Sequence, residues 1–157
     1  MNYDIDEFDK NGILVPGLFL SFVTFYTARF LFYGPLSLVA GRRVSGDFSF
    51  LTDVSPFAMI SSIPATLILY AMFSRRVGSS QVIKKIWSLG QPLLLFSLIV
   101  QMVILGYEVL ITEALSSVQI VYAFLNLFFI IYLIRSSRPK DVFSMFPEIS
   151  SASKEQT

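Results

Sequence analysis

The chain has 157 residues, of which 54% are hydrophobic and 15% charged, with a mean hydropathy of +0.67. A soluble domain usually carries about a quarter charged residues, and sixteen Phe in so short a chain suit lipid better than water. There is no Cys and no His, which excludes disulfides, thiol catalysis, Cys-ligated iron–sulfur centres, His-ligated haem and imidazole acid–base chemistry, and leaves a zinc site only carboxylates.

Residues 2–12 are acidic, with Asp4, Asp6, Glu7 and Asp9 against Lys10. The run from Glu7 to Gly12 looks like half of a calcium loop, but the position that needs a bidentate Glu is Leu18. Asn11-Gly12 reads as a turn. No basic n-region or small-residue cleavage site is present, so the first apolar stretch is expected to be retained as a helix. That helix is predicted over 13–40, with Pro16 in its first turn and Gly34-Pro35 expected to kink or stop it. Gly17, Ser21, Thr24 and Ala28 share one face at helical spacing, and small faces let helices approach closely in lipid.

Residues 41–55 read as a loop with Arg42 and Arg43, whose segment Phe48-Ser-Phe50-Leu51 is placed at the interface. Ser55-Pro56 reads as an N-cap with Pro at the first helical position. The second helix is predicted over 56–74. Pro64 interrupts it, and Ser61, Ser62 and Thr66 can re-satisfy the freed backbone groups. Residues 75–90 hold Arg75, Arg76, Lys84 and Lys85 without an acid, and Trp87 suits the headgroup region. A third helix is predicted over 92–111 and a fourth over 115–134, followed by a C-tail, 135–157, whose end is expected to be disordered.

The pattern predicts an all-α polytopic membrane protein with four transmembrane helices spanning 13–134, between a short N-tail and the C-tail. Four spans put the N-tail, the middle loop and the C-tail on one side. That side carries Lys10, Arg75, Arg76, Lys84, Lys85, Arg135, Arg138, Lys140 and Lys154, against Arg42 and Arg43 opposite. The positive-inside rule then places both termini in the cytoplasm.

Chemistry has few places to sit. Arg29 lies thirteen residues from Pro16 and Glu108 fifteen from Leu93, roughly 20 and 22 Å deep at 1.5 Å per residue. Two opposite charges at one level are expected to pair, because leaving either alone in lipid is costly. The helical neighbours Phe25, Tyr26, Phe32 and Tyr33 offer Arg29 an aromatic surround as well. Gln101, Asn126, Thr66 and Thr24 form a second polar level nearer the cytoplasm, where a Gln101–Asn126 hydrogen bond is expected. These residues are read as interhelical glue or as the lining of a cavity. Glu108 and Glu113 point to different helix faces, and no phosphate loop, nucleophile elbow or metal-ligand spacing occurs, so no enzyme, metal or cofactor is predicted. The basic middle loop reads as a topology signal that also attracts anionic lipid; no nucleic-acid partner is expected.

Asp9-x-x-Gly12-x-Leu14-x-Pro16, then Arg29, then a Phe/Leu-rich loop with Pro56 opening the second helix, resembles the YfeZ-like family of short bacterial inner-membrane proteins of unknown function. The likeness is best over the first two helices. It implies a multi-pass protein of the bacterial inner membrane and supplies no activity. Two functions are expected: a non-enzymatic accessory or scaffold protein packing with other membrane proteins or itself, or a subunit of a small oligomeric transporter or channel with an Arg29–Glu108 site.

Overall fold

A computed structural model describes residue 8 and residues 13–40, 56–76, 78–112 and 116–146. The described residues are all-α, in seven helices: α1 (Leu18–Ala40), α2 (Pro56–Ser61), α3 (Ile63–Ser74), α4 (Gln81–Ser88), α5 (Gly90–Thr112), α6 (Ser117–Arg135) and α7 (Ser137–Ser144). The predicted Asn11-Gly12 turn, the 41–55 loop, Glu113 and the end of the C-tail lie outside them.

Local chemistry accounts for most helix ends. Pro16 precedes α1 instead of opening it. The residue before a proline, here Val15, is driven to extended backbone; Ile13 and Leu14 are buried ahead of it, Leu14 in an antiparallel bridge with Phe8, and the carbonyl of Gly17 accepts the first helical bond, from Ser21 N at 3.0 Å. At Gly34-Pro35 the helix runs on to Ala40 with Pro35 inside it. An internal proline removes one bond, here to the carbonyl of Leu31, and apolar helices tolerate that loss when the surroundings hold them straight.

Pro64 breaks the second apolar stretch, and the break falls at Ser62, between α2 and α3. Ser62 N turns to the Met59 carbonyl at 3.1 Å, a tighter bond than the helical one. Hydroxyls take up carbonyls around it: Ser61 Oγ donates to Ala58 O at 2.7 Å and Thr66 Oγ1 to Ser62 O at 3.0 Å. α6 opens on a capping box, in which Ser116 Oγ accepts from Gln119 N and Gln119 Oε1 accepts from Ser116 N.

Two short helices lie where loop and tail were predicted. α4 carries Ile83, Ile86 and Trp87 inward and its lysines outward; α7 buries Pro139, Val142 and Phe143. They pack on each other across one end of the bundle. Trp87 is not at an open interface: it is 1% exposed, and its Nε1 donates to the carbonyls of Val142 at 3.0 Å and Met145 at 3.1 Å. Phe143 fills the space beside Gly90, where any Cβ would overlap the ring.

α5 is the hub, touching every other helix group, while α1 packs along α3. The small face of α1 is consumed in this packing. Thr24 and Ala28 are buried, Ser21 meets Met72 of α3, and Gly17 faces the Arg138 guanidinium. Rings join α1 to α6: Phe19 lies edge-on to Tyr132 at 4.5 Å, and Tyr26 to Phe129 at 4.9 Å.

The distribution of polarity is inverted relative to a soluble bundle. Thr24, Thr27, Arg29, Ser61, Ser62, Ser97, Gln101 and Asn126 are buried. Phe22, Phe57, Leu67, Phe73, Phe96, Val103, Leu110, Phe124 and Ile134 face outward. α5 over Gly90–Ile111 and α6 are long and apolar enough to cross a membrane; Leu18–Tyr33 of α1 and α3 are shorter apolar helices.

Candidate functional site

The buried polar side chains converge on Gln101 of α5. Its Nε2 donates to the carbonyl of Thr27 in α1 at 2.9 Å and lies 3.4 Å from Ser62 Oγ at the α2–α3 break. Ser62 Oγ itself donates to the Thr27 carbonyl at 3.0 Å. The Gln101 Oε1 accepts from Arg29 Nη1 at 3.3 Å. One amide thus connects three helix segments, and its orientation is determined: the oxygen must face the guanidinium and the nitrogen the carbonyl.

Arg29 is 7% exposed. Its Nη1 also donates to the Tyr26 carbonyl at 2.7 Å. Three rings surround the guanidinium carbon, with centroids at 3.8 Å (Tyr26), 4.1 Å (Phe30) and 4.7 Å (Tyr122). Each desolvated guanidinium–ring contact is worth roughly 1–2 kcal/mol, so the cage offsets a large part of the cost of burying the charge. The cage is not the predicted one. Of Phe25, Tyr26, Phe32 and Tyr33, only Tyr26 stacks on Arg29; Phe25 and Phe32 face outward, and Phe25 meets Phe73.

The acceptor that Arg29 reaches on α5 is Gln101, and Glu108 is not among the partners of the guanidinium. The reason lies in the helix starts. α1 begins at Leu18 and α5 at Gly90, so Arg29 and Gln101 are each eleven residues in, about 17 Å deep. Counting from Pro16 and Leu93 shifts the match by five residues, about one and a half turns, toward Glu108, which sits half-buried seven residues beyond Gln101 with contacts of its own.

The second polar level is rearranged as well. The expected Gln101–Asn126 bond gives way to the Thr27, Ser62 and Arg29 partners of Gln101. Asn126 is 1% exposed, and its Oδ1 has no partner among the described residues; the same holds for Ser97 Oγ, Tyr26 Oη and Arg29 Nε. Thr66 bonds within its own helix turn, to Ser62 O, and Thr24 likewise to Leu20 O. Ser62 and Thr27, members of the network at its centre, were missed as a site. Ser62 was legible only as a backbone repair beside Pro64, and a backbone carbonyl such as that of Thr27 leaves no mark in a sequence. Among the described residues no three acidic side chains come together.

An all-α protein with apolar helices around a buried polar centre is the class that this fold and site define. The chain belongs to the family described as a protein of unknown function, DUF2919, whose model matches residues 3–145. No curated protein and no solved structure matched it.

Proposed function

We propose that the chain is a four-span protein of the bacterial inner membrane, YfeZ-like, with both termini cytoplasmic, and that it acts as a non-enzymatic accessory or scaffold protein. The observation that carries the membrane reading is the inverted polarity. A helix as apolar as α5 or α6 in a soluble protein would be mostly buried, yet only 22% and 17% of their windows are. A water-exposed belt of Phe, Leu and Ile of that extent is not compatible with a stable soluble monomer. α2 and α3 together, and α1 through Pro35, supply the remaining two spans. The start of α1, the end of α3, α4, the start of α5, the end of α6 and α7 meet at one end, which supports a common side for both tails. Arg75 Nη2 donates there to Leu14 O at 3.2 Å, and Gln91 Nε2 to Leu133 O at 2.7 Å.

The accessory role is supported by the polar centre itself. Gln101 spends its bonds on holding helices together, and the guanidinium is closed in by rings. With the small face of α1 already used inside the bundle, a partner must meet the outer apolar surface. In native membranes, photo-crosslinkers placed at Phe124 and at Leu110 are expected to trap a defined partner or a second copy. Uniform crosslinking to lipid alone from both positions would contradict the accessory role.

A second reading, an oligomeric transporter subunit using Arg29 and Glu108, is favoured by the buried atoms Arg29 Nε, Ser97 Oγ and Asn126 Oδ1, which have no hydrogen-bond partner among the described residues. Anion or proton flux in liposomes that falls with Arg29→Gln and Glu108→Gln supports it; unchanged flux in both variants removes it.

A further inference from the structure

The basic residues that flank three separate helices in sequence come to one end of the bundle, and they do so beside exposed apolar side chains. On α4 and its C-cap, Val82, Lys85 and Leu89 follow one another at i, i+3 and i+7, and all three are exposed, Val82 at 66%. They therefore share one outward face on which a lysine stands between two apolar groups. At the end of α6 the same sequence of chemistries recurs: Ile131 and Ile134 are exposed, and Arg135 follows directly. Lys140 of α7 and Arg76 after α3 are exposed as well.

The packing that gathers these charges is specific. α7 is held against α4 by Trp87 Nε1 on the Val142 and Met145 carbonyls and by Phe143 over Gly90. Gln91 ties the start of α5 to Leu133, two residues before Arg135. α4, the end of α6 and α7, which carry the exposed Lys85, Arg135 and Lys140, are thereby brought to the same end of the bundle.

We propose that this end is a docking surface for anionic phospholipid, with the phosphate diester of the headgroup on Lys85, Arg135 and Lys140 and the acyl chains along Val82, Leu89, Ile131 and Ile134. Charge complementarity selects an anionic partner, and the apolar groups adjoining each cation select a lipid over a soluble phosphate or a nucleic acid. An amphipathic helix lying in the interface with lysines toward the headgroups is the general form of such binding. The proposal rests on the membrane reading above and goes beyond it by naming the lipid class and the residues that hold it.

The chain provides its own reporter. Trp87 is its one tryptophan and lies in α4 two residues from Lys85, with the Arg75 guanidinium 4.9 Å above its ring. The full chain is reconstituted in phosphatidylcholine bilayers containing increasing fractions of brominated phosphatidylglycerol, and separately of brominated phosphatidylcholine, and quenching of Trp87 emission is followed. Each basic residue near the surface contributes about fivefold in affinity. The expected result is half-quenching at a phosphatidylglycerol fraction at least fivefold lower than for phosphatidylcholine, unmoved by added glycerol phosphate.

The triple variant Lys85→Gln, Arg135→Gln, Lys140→Gln is expected to follow the phosphatidylcholine curve, while Lys85→Arg keeps the preference. Coincident curves for the wild-type chain, an unaltered preference in the triple variant, or displacement by glycerol phosphate would each overturn the proposal. Bilayers made wholly of brominated phosphatidylcholine separate the two readings. Strong quenching there in wild type and variant keeps the membrane reading whatever the lipid preference, and a wild type that is neither quenched there nor floats with the vesicles overturns both.

Discussion

Arg29 carries a permanent charge to the middle of the bundle, and among the described residues its partners are aromatic and amide, not carboxylate. A group held in this way is expected to be replaceable by an apolar side chain of similar length. Arg29→Met should leave unfolding stability in mild micelles within about 1 kcal/mol of wild type or raise it, because exchanging a buried charge for a packed hydrophobe is often neutral or stabilising. Gln101→Leu should behave in the opposite way. It keeps the volume but leaves the Arg29 Nη1 contact and the Thr27 and Ser62 contacts without their shared amide, and interhelical bonds in membranes are worth roughly 0.6–1.7 kcal/mol. A loss of about 1–2 kcal/mol on denaturant titration is expected. Should Arg29→Met destabilise more than Gln101→Leu, the charge itself has a role that the ring cage does not explain.

At the scale of elements, the prolines and the end helices differ in what they demand. Pro35 sits inside α1 without ending it, so Pro35→Ala should restore one backbone bond and stabilise the chain by about 1–3 kcal/mol with no change of topology. Gly90 is the reverse case. Its missing Cβ is occupied by Phe143, so Gly90→Val should push α7 off the bundle and release Trp87 from the Val142 and Met145 carbonyls. A red-shifted Trp87 emission is expected, reversed in part by adding Phe143→Ala; an unshifted spectrum in Gly90→Val would show that α7 does not dock through this contact. The long apolar helices were legible because each is a run of about twenty apolar residues bounded by Pro, Ser or Arg. α4 and α7 were not. At eight residues each is barely two turns, too short for its periodicity to stand out, and the Gly78-Ser79-Ser80 and Arg138-Pro139 signals around them read as loop. Arg29 was legible as the site's centre, but its acceptor was not. Depth was counted from helix starts misplaced by two residues on α1 and three on α5, in opposite directions, enough to move the match from Gln101 toward Glu108.

At the scale of the molecule, the account is one of inside-out amphipathicity: polar groups join the helices at the centre, an apolar belt faces outward, and exposed cations lie at one end. Its central claim is the four-span topology with that end in the cytoplasm. The absence of native cysteine makes the test direct, since any introduced thiol is the sole one. Single variants Ser45→Cys, Ser80→Cys and Ser144→Cys are exposed in turn to a membrane-impermeant maleimide in right-side-out and in inverted inner-membrane vesicles. The account predicts that Ser80→Cys and Ser144→Cys label only in inverted vesicles and Ser45→Cys only in right-side-out ones. Labelling of Ser45→Cys and Ser80→Cys from the same side, or of all three from both, would contradict it.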